Sequence, residues 1–398
     1  MSTTLISFLG NRKENGEYKR VQYHYKGEAN EPVTYIGYAL QKILQPDRFV
    51  IFGTTGSMWD HLFESDLKLD TQLEEERLAL MESVEDKRHV TQEQLDLLAP
   101  LLSKILATEV ILKIIPPAHT EQEQLELLEL IDAVLDEEGS LYLDVTHGYR
   151  SMPLVSFAAV QFLNTVKPKI RVKNIFYGEL AEQEGYIREL SGLLNLNQWN
   201  KAFYHSECTG DYSLIAELLP EDSEVGQLIS QASFYESIHL FGKARGAFNK
   251  ARKILEDQEF MGPASLFKPA LLERTAWVGE QYAYLRQRSQ AFRSLENNDY
   301  LRAVLYGYEA YLTARMSEHS EYKNDIGDGR RRSAFAELLR QSKNFKSKEQ
   351  REQYHFLRQL RNALAHGEEA PTKEIQSAVH DSKELHTHLQ HALKILLD

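Results

Sequence analysis

The feature that most limits the fold is a change of period halfway along the chain. Up to about residue 190, short apolar runs alternate with stretches of helical spacing; beyond it only the 3.6-residue period remains. Strands are expected at residues 4–9, 48–52, 110–115, 141–145 and 170–177, with 21–25 as a short hairpin arm. Residues 35–44 carry helical spacing and stop before Pro46, and residues 66–108 read as an acidic helical excursion. Thr120 and Glu123 form a capping box for a helix to about Leu135, and another helix starts at Pro153. This alternation predicts a mostly parallel sheet with helices on both faces. Gly192 and the Asn-rich NLNQWN (195–200) mark a boundary. The expectation is an α/β domain over residues 1–195 followed by an all-α domain over 196–398.

Composition agrees with two domains, since 398 residues exceed what one core supports. Hydrophobic content of 42% and charged content of 26% are ordinary for a soluble globular chain. No apolar run reaches bilayer length, and the N-terminal apolar stretch lacks the basic segment of a signal peptide. Cys208 is the single cysteine, which excludes a disulfide framework and a cysteine-rich zinc site and fits a reducing cytoplasm. A net charge of −13 argues against non-specific coating of nucleic acid but leaves room for a local basic groove.

Two stretches carry chemistry. The first is LYLDVTHGYRSM (141–152), a strand-to-helix turn crowded with donors: Thr146, His147, Tyr149 and Arg150, with Gly148 permitting close backbone approach. Ligands of open parallel sheets bind beyond the carboxyl ends of the strands. Gly10-Asn11 and the run Gly53, Thr54, Thr55, Gly56, Ser57 fall at the same end. The helix start would offer free backbone N–H groups, and Arg150 a forked contact. The inventory suits a ligand with several phosphates. Each residue taken singly also reads as an ordinary cap or surface group. The G-x-G-x-x-G fingerprint and the Walker A loop are both missing, so NAD binding and ATP hydrolysis are poor readings.

The second stretch is FLRQLRNALAHGE (356–368), a helix ending at Gly367. Arg358, Asn362 and His366 lie i, i+4, i+8 on one stripe, with Arg361 beside them. An imidazole in the last turn next to a phosphate-holding guanidinium is a kit for RNA cleavage, in which the ribose 2′-OH supplies the nucleophile and no metal is required. The spacing alone is weak evidence. Its context is basic: residues 323–361 hold eleven Lys/Arg against five Asp/Glu. Arg330, Arg331 and Arg332, with Arg358, would track phosphates, and Tyr322, Phe345 and Tyr354 are available for base stacking. A solvated arginine run and core aromatics are the plain alternatives.

DVTHGYR after a strand resembles the ligand loop of CARF domains, the CRISPR-associated Rossmann-like sensors, and RNALAHG resembles the R-N-x-x-x-H motif of HEPN ribonucleases. In this order, and over nearly the whole chain, the pair is similar to the CARF–HEPN ribonucleases of type III CRISPR systems. The resemblance implies activation by cyclic oligoadenylate, tetra-adenylate favoured over hexa-adenylate, held across the two-fold axis of a homodimer or higher even oligomer. It implies a composite HEPN site that cuts single-stranded RNA to 2′,3′-cyclic phosphate ends without a metal or cofactor. Carried onto this chain, Arg361 and His366 are catalytic and Asn362 supports them; Thr146, His147, Gly148, Arg150, Thr54, Thr55, Gly56, Ser57 and Asn11 contact the ligand. Two alternatives stay open: a helical domain that only binds a partner, and a sensor domain that also cuts its activator.

Overall fold

The computed structural model describes the chain except for residues 1, 11–19, 64–66, 68–70, 87–89, 150, 182–183, 221–222, 342–344 and 368–371. The chain divides into two compact units, Met1–Asn195 and Leu196–Asp398. Asn11 and Arg150, both expected at the ligand, lie outside the described residues.

The first unit is an eight-stranded sheet: β1 (Ser2–Phe8), β2 (Tyr23–Tyr25), β3 (Glu28–Ala29), β4 (Arg48–Gly53), β5 (Glu109–Ile114), β6 (Gly139–Asp144), β7 (Ile170–Ala181) and β8 (Glu184–Glu189). Its order is β3-β2-β8-β7-β6-β1-β4-β5. The five strands from β7 to β5 in that order are mutually parallel. The helices are α1 (Ile36–Leu44), α2 (Thr71–Asp86), α3 (Gln92–Leu106), α4 (Glu121–Ala133) and α5 (Met152–Val166). The central strands β1, β4 and β6 are buried on both faces, so they read as continuous apolar runs. Leu5, Leu9, Phe49 and Ile51 pack with α1 and α3, while Ile6, Phe8, Val50 and Phe52 pack with α4 and α5. The period-2 alternation along each strand sorts neighbouring side chains to opposite faces. Thr91 and Gln94 cap α3 reciprocally, as Thr120 and Glu123 cap α4.

The expected strands and helices of this half are present. The strand expected at 170–177 continues to Ala181 and returns antiparallel as β8. That return is hard to see in the sequence because only Gly185 and Ile187 of β8 are buried. The division between the units falls within NLNQWN, at Asn195 and Leu196, and the stretch itself is helical, inside α6 (Ser191–Thr209). Asn is a poor helix former, and packing of Trp199 and Ala202 in the core overrides that preference.

The second unit is helical: α7 (Ser213–Leu218), α8 (Glu224–Ser237), α9 (Phe241–Asp257), α10 (Pro263–Arg274), α11 (Ala283–Glu296), α12 (Tyr300–Glu318), α13 (Gly329–Gln341), α14 (Lys348–His366), α15 (Lys373–His380) and α16 (Ser382–Leu397). One apolar cluster gathers Trp199, Ile229, Phe248 and Trp277 from the earlier helices; another gathers Val304, Leu357, Leu360 and Leu393 from the later ones. A Cβ at Gly307 would come within 2.2 Å of Leu393 Cδ2, so the close approach of α12 and α16 needs glycine there. No helix among the described residues is long and apolar enough to cross a membrane.

Polar side chains are buried between these helices. The Arg293 guanidinium donates to the Tyr212 hydroxyl (2.7 Å). Burial pushes the Glu236 carboxyl up to about 7, opposed by Arg293 and Arg302 and reinforced by Asp211. The folded chain therefore keeps a proton that an ordinary glutamate releases near 4.5. Stability contributed by this site is full at pH 4.5 and falls by about 3 kcal/mol as pH rises through 7. Glu236→Gln should flatten that slope and raise stability at pH 8, read from urea midpoints between pH 5 and 8; parallel wild-type and variant curves would contradict the burial argument.

Candidate functional site

The sheet order creates the first site. After β1 and the β2–β3 arm at the far edge, the chain forms β4 and β5 on one side of β1, then crosses to β6 and β7 on the other. A topological switch point therefore lies between β1 and β6, where loops leave in opposite directions and open a crevice. The turns at Gly10 and at Thr146–Tyr149 follow these two strands, and they touch. A Cβ at Gly10 would lie 3.9 Å from Gly148 N and from His147 Cβ. Gly148 takes φ +102°, a left-handed conformation in which a side chain would also crowd Met152 Sδ at 3.2 Å.

Beneath the turn, Asp144 is fully buried and organises it. The Ser7 hydroxyl donates to its Oδ2 (2.5 Å), and the Tyr35 hydroxyl donates to Ser7 Oγ (2.6 Å). The Thr146 N–H (3.0 Å) and hydroxyl (2.5 Å) both donate to Oδ1. Thr146 Oγ1 in turn accepts the Gly178 N–H of β7 (2.8 Å). Gly178 lets β7 pass close to Ile36 and Thr146, whose side chains would have to shift to admit a Cβ there. Burial pushes the Asp144 carboxyl upward, against the hydrogen bonds from Ser7 and Thr146 and the adjacent His147. His147 is half-buried against the Tyr35 ring, 6.1 Å between centroids. Burial holds its imidazole below the usual value; Asp144 opposes this and His61 adds to it.

The structure changes the roles of several expected ligand residues. Ser57 is 1% exposed, and its hydroxyl accepts the Thr54 N–H (2.9 Å) and donates to the Leu9 carbonyl (3.2 Å). Thr54 is buried too, and its carbonyl accepts the Trp59 indole N–H (2.9 Å). These two shape the loop, leaving Thr55 and Gly56 toward the surface. The expected free N–H groups at the start of α5 are also taken. Met152 N–H bonds to the Tyr149 carbonyl and Leu154 N–H to the Ser151 carbonyl, while Pro153 has none. Sequence reasoning overlooked Ser7, Tyr35, Asp144 and Gly178. The available signal was polar residues inside apolar strands, Ser7 in β1 and Asp144 in β6, whose paired register brings them side by side.

The second site is the end of α14. Ser347 caps its start by accepting the Gln350 N–H (3.0 Å), and Gly367 closes it with φ +65°. Tyr354, Leu357, Leu360 and Ala363 are buried and fix the helix's rotation. That rotation leaves Arg361 half-buried and His366 exposed. The Arg361 guanidinium donates to Asn362 Oδ1 (3.0 Å) and lies 5.3 Å from the centroid of the Tyr308 ring. Arg361 Nε is buried without a hydrogen-bond partner.

The basic run is redistributed. Arg332 is held by Glu309 and the Ile326 carbonyl, and Arg331 pairs with Asp325 (2.9 Å) and Glu321 (3.2 Å) over the Tyr322 ring. These two expected phosphate contacts are structural, whereas the Arg330 side chain is exposed. Tyr322 and Tyr354 are buried and Phe345 packs on the core, so none is a free stacking platform. Arg351, Arg358 and Arg340, the last paired with Glu337, lie near His355, whose imidazole burial and these guanidiniums together push down. Asp144→Ala should cost the first site about 3 kcal/mol of stability, because it strands three buried donors. Asp144→Asn, which keeps one acceptor, should cost less than half of that. Urea denaturation of the two variants measures both; equal stability of Asp144→Ala and wild type would show that the network is dispensable.

Comparison with known proteins follows these features. Residues 4–180 match the family model described as CRISPR system endoribonuclease Csx1, CARF domain. The CRISPR-associated protein MJ1674 of Methanocaldococcus jannaschii is 24% identical over 291 residues, which take in 66% of this chain and 45% of that protein. The chain thus spans about half the length of the curated relative it matches. The solved structure of Enterococcus italicus Csm6 bound to cyclic hexa-2'-fluoro-hexa-dAMP aligns with 100% of this chain and 95% of its own, at 12% identity and a TM-score of 0.33. That likeness is too loose to carry an argument. The family match takes in the parallel strands on both sides of the switch point and the Asp144-anchored turn, so this part of the first unit is similar to a CARF domain.

Proposed function

We propose that the chain is a cyclic oligoadenylate-activated, metal-independent endoribonuclease that cuts single-stranded RNA in type III CRISPR defence, acting in the cytoplasm. The observation that carries the reading is the end of α14: a guanidinium oriented by Asn362 and Tyr308, five residues before an exposed imidazole in the last turn. Arg361 would hold the scissile phosphate and offset the charge that develops on it. His366 would move the proton, from the attacking 2′-OH or to the departing 5′-oxygen. The 2′-oxygen bonds to phosphorus as the 5′-oxygen leaves, giving 2′,3′-cyclic phosphate ends. Arg351 and Arg358, near His355, would add positive charge that attracts RNA to this end.

In the first unit, the turn His147–Gly148 together with Thr55 and Gly56 would meet the phosphates and adenines of the ring, tetra-adenylate ahead of hexa-adenylate. Two copies of the unit would enclose one ring, and the dimer would bring two α14 ends into one site, so ligand binding biases a two-state nuclease. The reading in which the sensor cuts its own activator rests on His147, because the Thr146 hydroxyl is committed to Asp144 and Gly178.

RNA cleavage should appear with cyclic tetra-adenylate, persist in EDTA, and fall about 10²–10⁴-fold in His366→Ala and in Arg361→Ala, with ligand binding retained. Equal cleavage with and without ligand, or full activity in His366→Ala, defeats the proposal.

A further inference from the structure

The helical unit contains a polar cavity that this chemistry does not use. Its volume is about 300 Å³, at the lower end of the range for small-ligand sites, and it is lined by side chains of α6, α8, α11 and α12. These helices belong to the two apolar clusters of the unit, so the cavity forms a polar seam between them.

Most of the polar wall is committed. Ser233 Oγ accepts the Tyr212 N–H (3.0 Å), Arg293 donates to the Tyr212 hydroxyl, and His205 lies 3.7 Å from Asp211. Arg302 donates to the Thr209 carbonyl (2.9 Å) and faces Asp299 at 3.4 Å. Two groups stand apart. Glu236 and Gln290 are only 9% and 5% exposed, yet Glu236 Oε2 and Gln290 Nε2 are buried without hydrogen-bond partners. They are neighbours: the Gln290 amide is near enough to donate toward the Glu236 carboxyl and favour its charged form, yet no hydrogen bond of good geometry joins them. Buried orphan atoms of this kind call for a partner.

An acceptor beside a donor complements an edge that carries a donor beside an acceptor. Every nucleobase presents such an edge, and proteins read unpaired bases through it while an aromatic side chain covers the ring. Tyr306 supplies an aromatic wall in the cavity. We propose that the cavity is a nucleoside-binding site in which Glu236 and Gln290 read the base edge and Tyr306 lines its face. The site is separate from Arg361 and His366 and does not depend on the reading given to them. A bound nucleoside would tie together the two apolar clusters of the helical unit and stabilise it by mass action.

The test is calorimetric titration of the full chain with adenosine, guanosine, cytidine and uridine, each separately. At least one should bind with a Kd of about 1 mM or tighter and raise the melting temperature. Glu236→Ala and the milder Gln290→Met should each weaken that binding about tenfold or more. Circular dichroism melts establish that the variants fold, and Gln290→Met keeps the test decisive if Glu236→Ala does not. If no nucleoside binds, the cavity holds water only and the proposal is wrong. Binding that survives unchanged in a folded Gln290→Met also overturns it, because the ligand then sits elsewhere.

Discussion

Burial of one carboxylate at the seam of a doubly wound sheet sets the geometry of the first unit's site. Asp144 ends β6 with no exposure, and its two oxygens take hydrogen bonds from both sides of the switch point. Ser7 and Tyr35 tie it to β1 and to the start of α1; Thr146 ties it to the turn and, through Gly178, to β7. A carboxylate moved out of water is costly unless its lone pairs are satisfied, and here they are. The result is a turn whose exposed face is irregular and whose hidden face is rigid. Such rigidity is what recognition of a large anionic ligand by backbone groups requires.

The α14 terminus follows the same logic with weaker means. Its candidate side chains sit at the margin of a packed helix, positioned by an amide, an aromatic ring and a glycine stop rather than by a buried charge. Both sites thus place reactive or binding groups one step outside a core that fixes them. The arginine run shows the opposite outcome, since Arg331 and Arg332 contribute to the local fold through acidic partners.

Much of the architecture was legible in the chain. The central parallel strands are buried on both faces, which makes them continuous apolar runs, and the helix after Thr120 announces itself through a reciprocal cap. β8 was not legible, because an antiparallel return on one side of the sheet needs only two inward residues. NLNQWN marks the division between the units yet is itself helical, because tertiary packing of Trp199 outweighs the weak helix preference of Asn. At the site, Thr54 and Ser57 looked like ligand hydroxyls because composition cannot tell an outward hydroxyl from one folded back onto its own loop.

The sequence by itself determined the class of each half, the turns that follow the strands and the helix that ends in RNALAHG, since these depend on periodicity and on residues close together in the chain. Only the tertiary structure decided which donors remain free. Ser7 and Asp144 are 137 residues apart and become partners through strand pairing, and Arg332 meets Glu309 through helix packing. Hydrogen bonds and ion pairs across such separations depend on register and crossing geometry, which no local pattern of residues encodes.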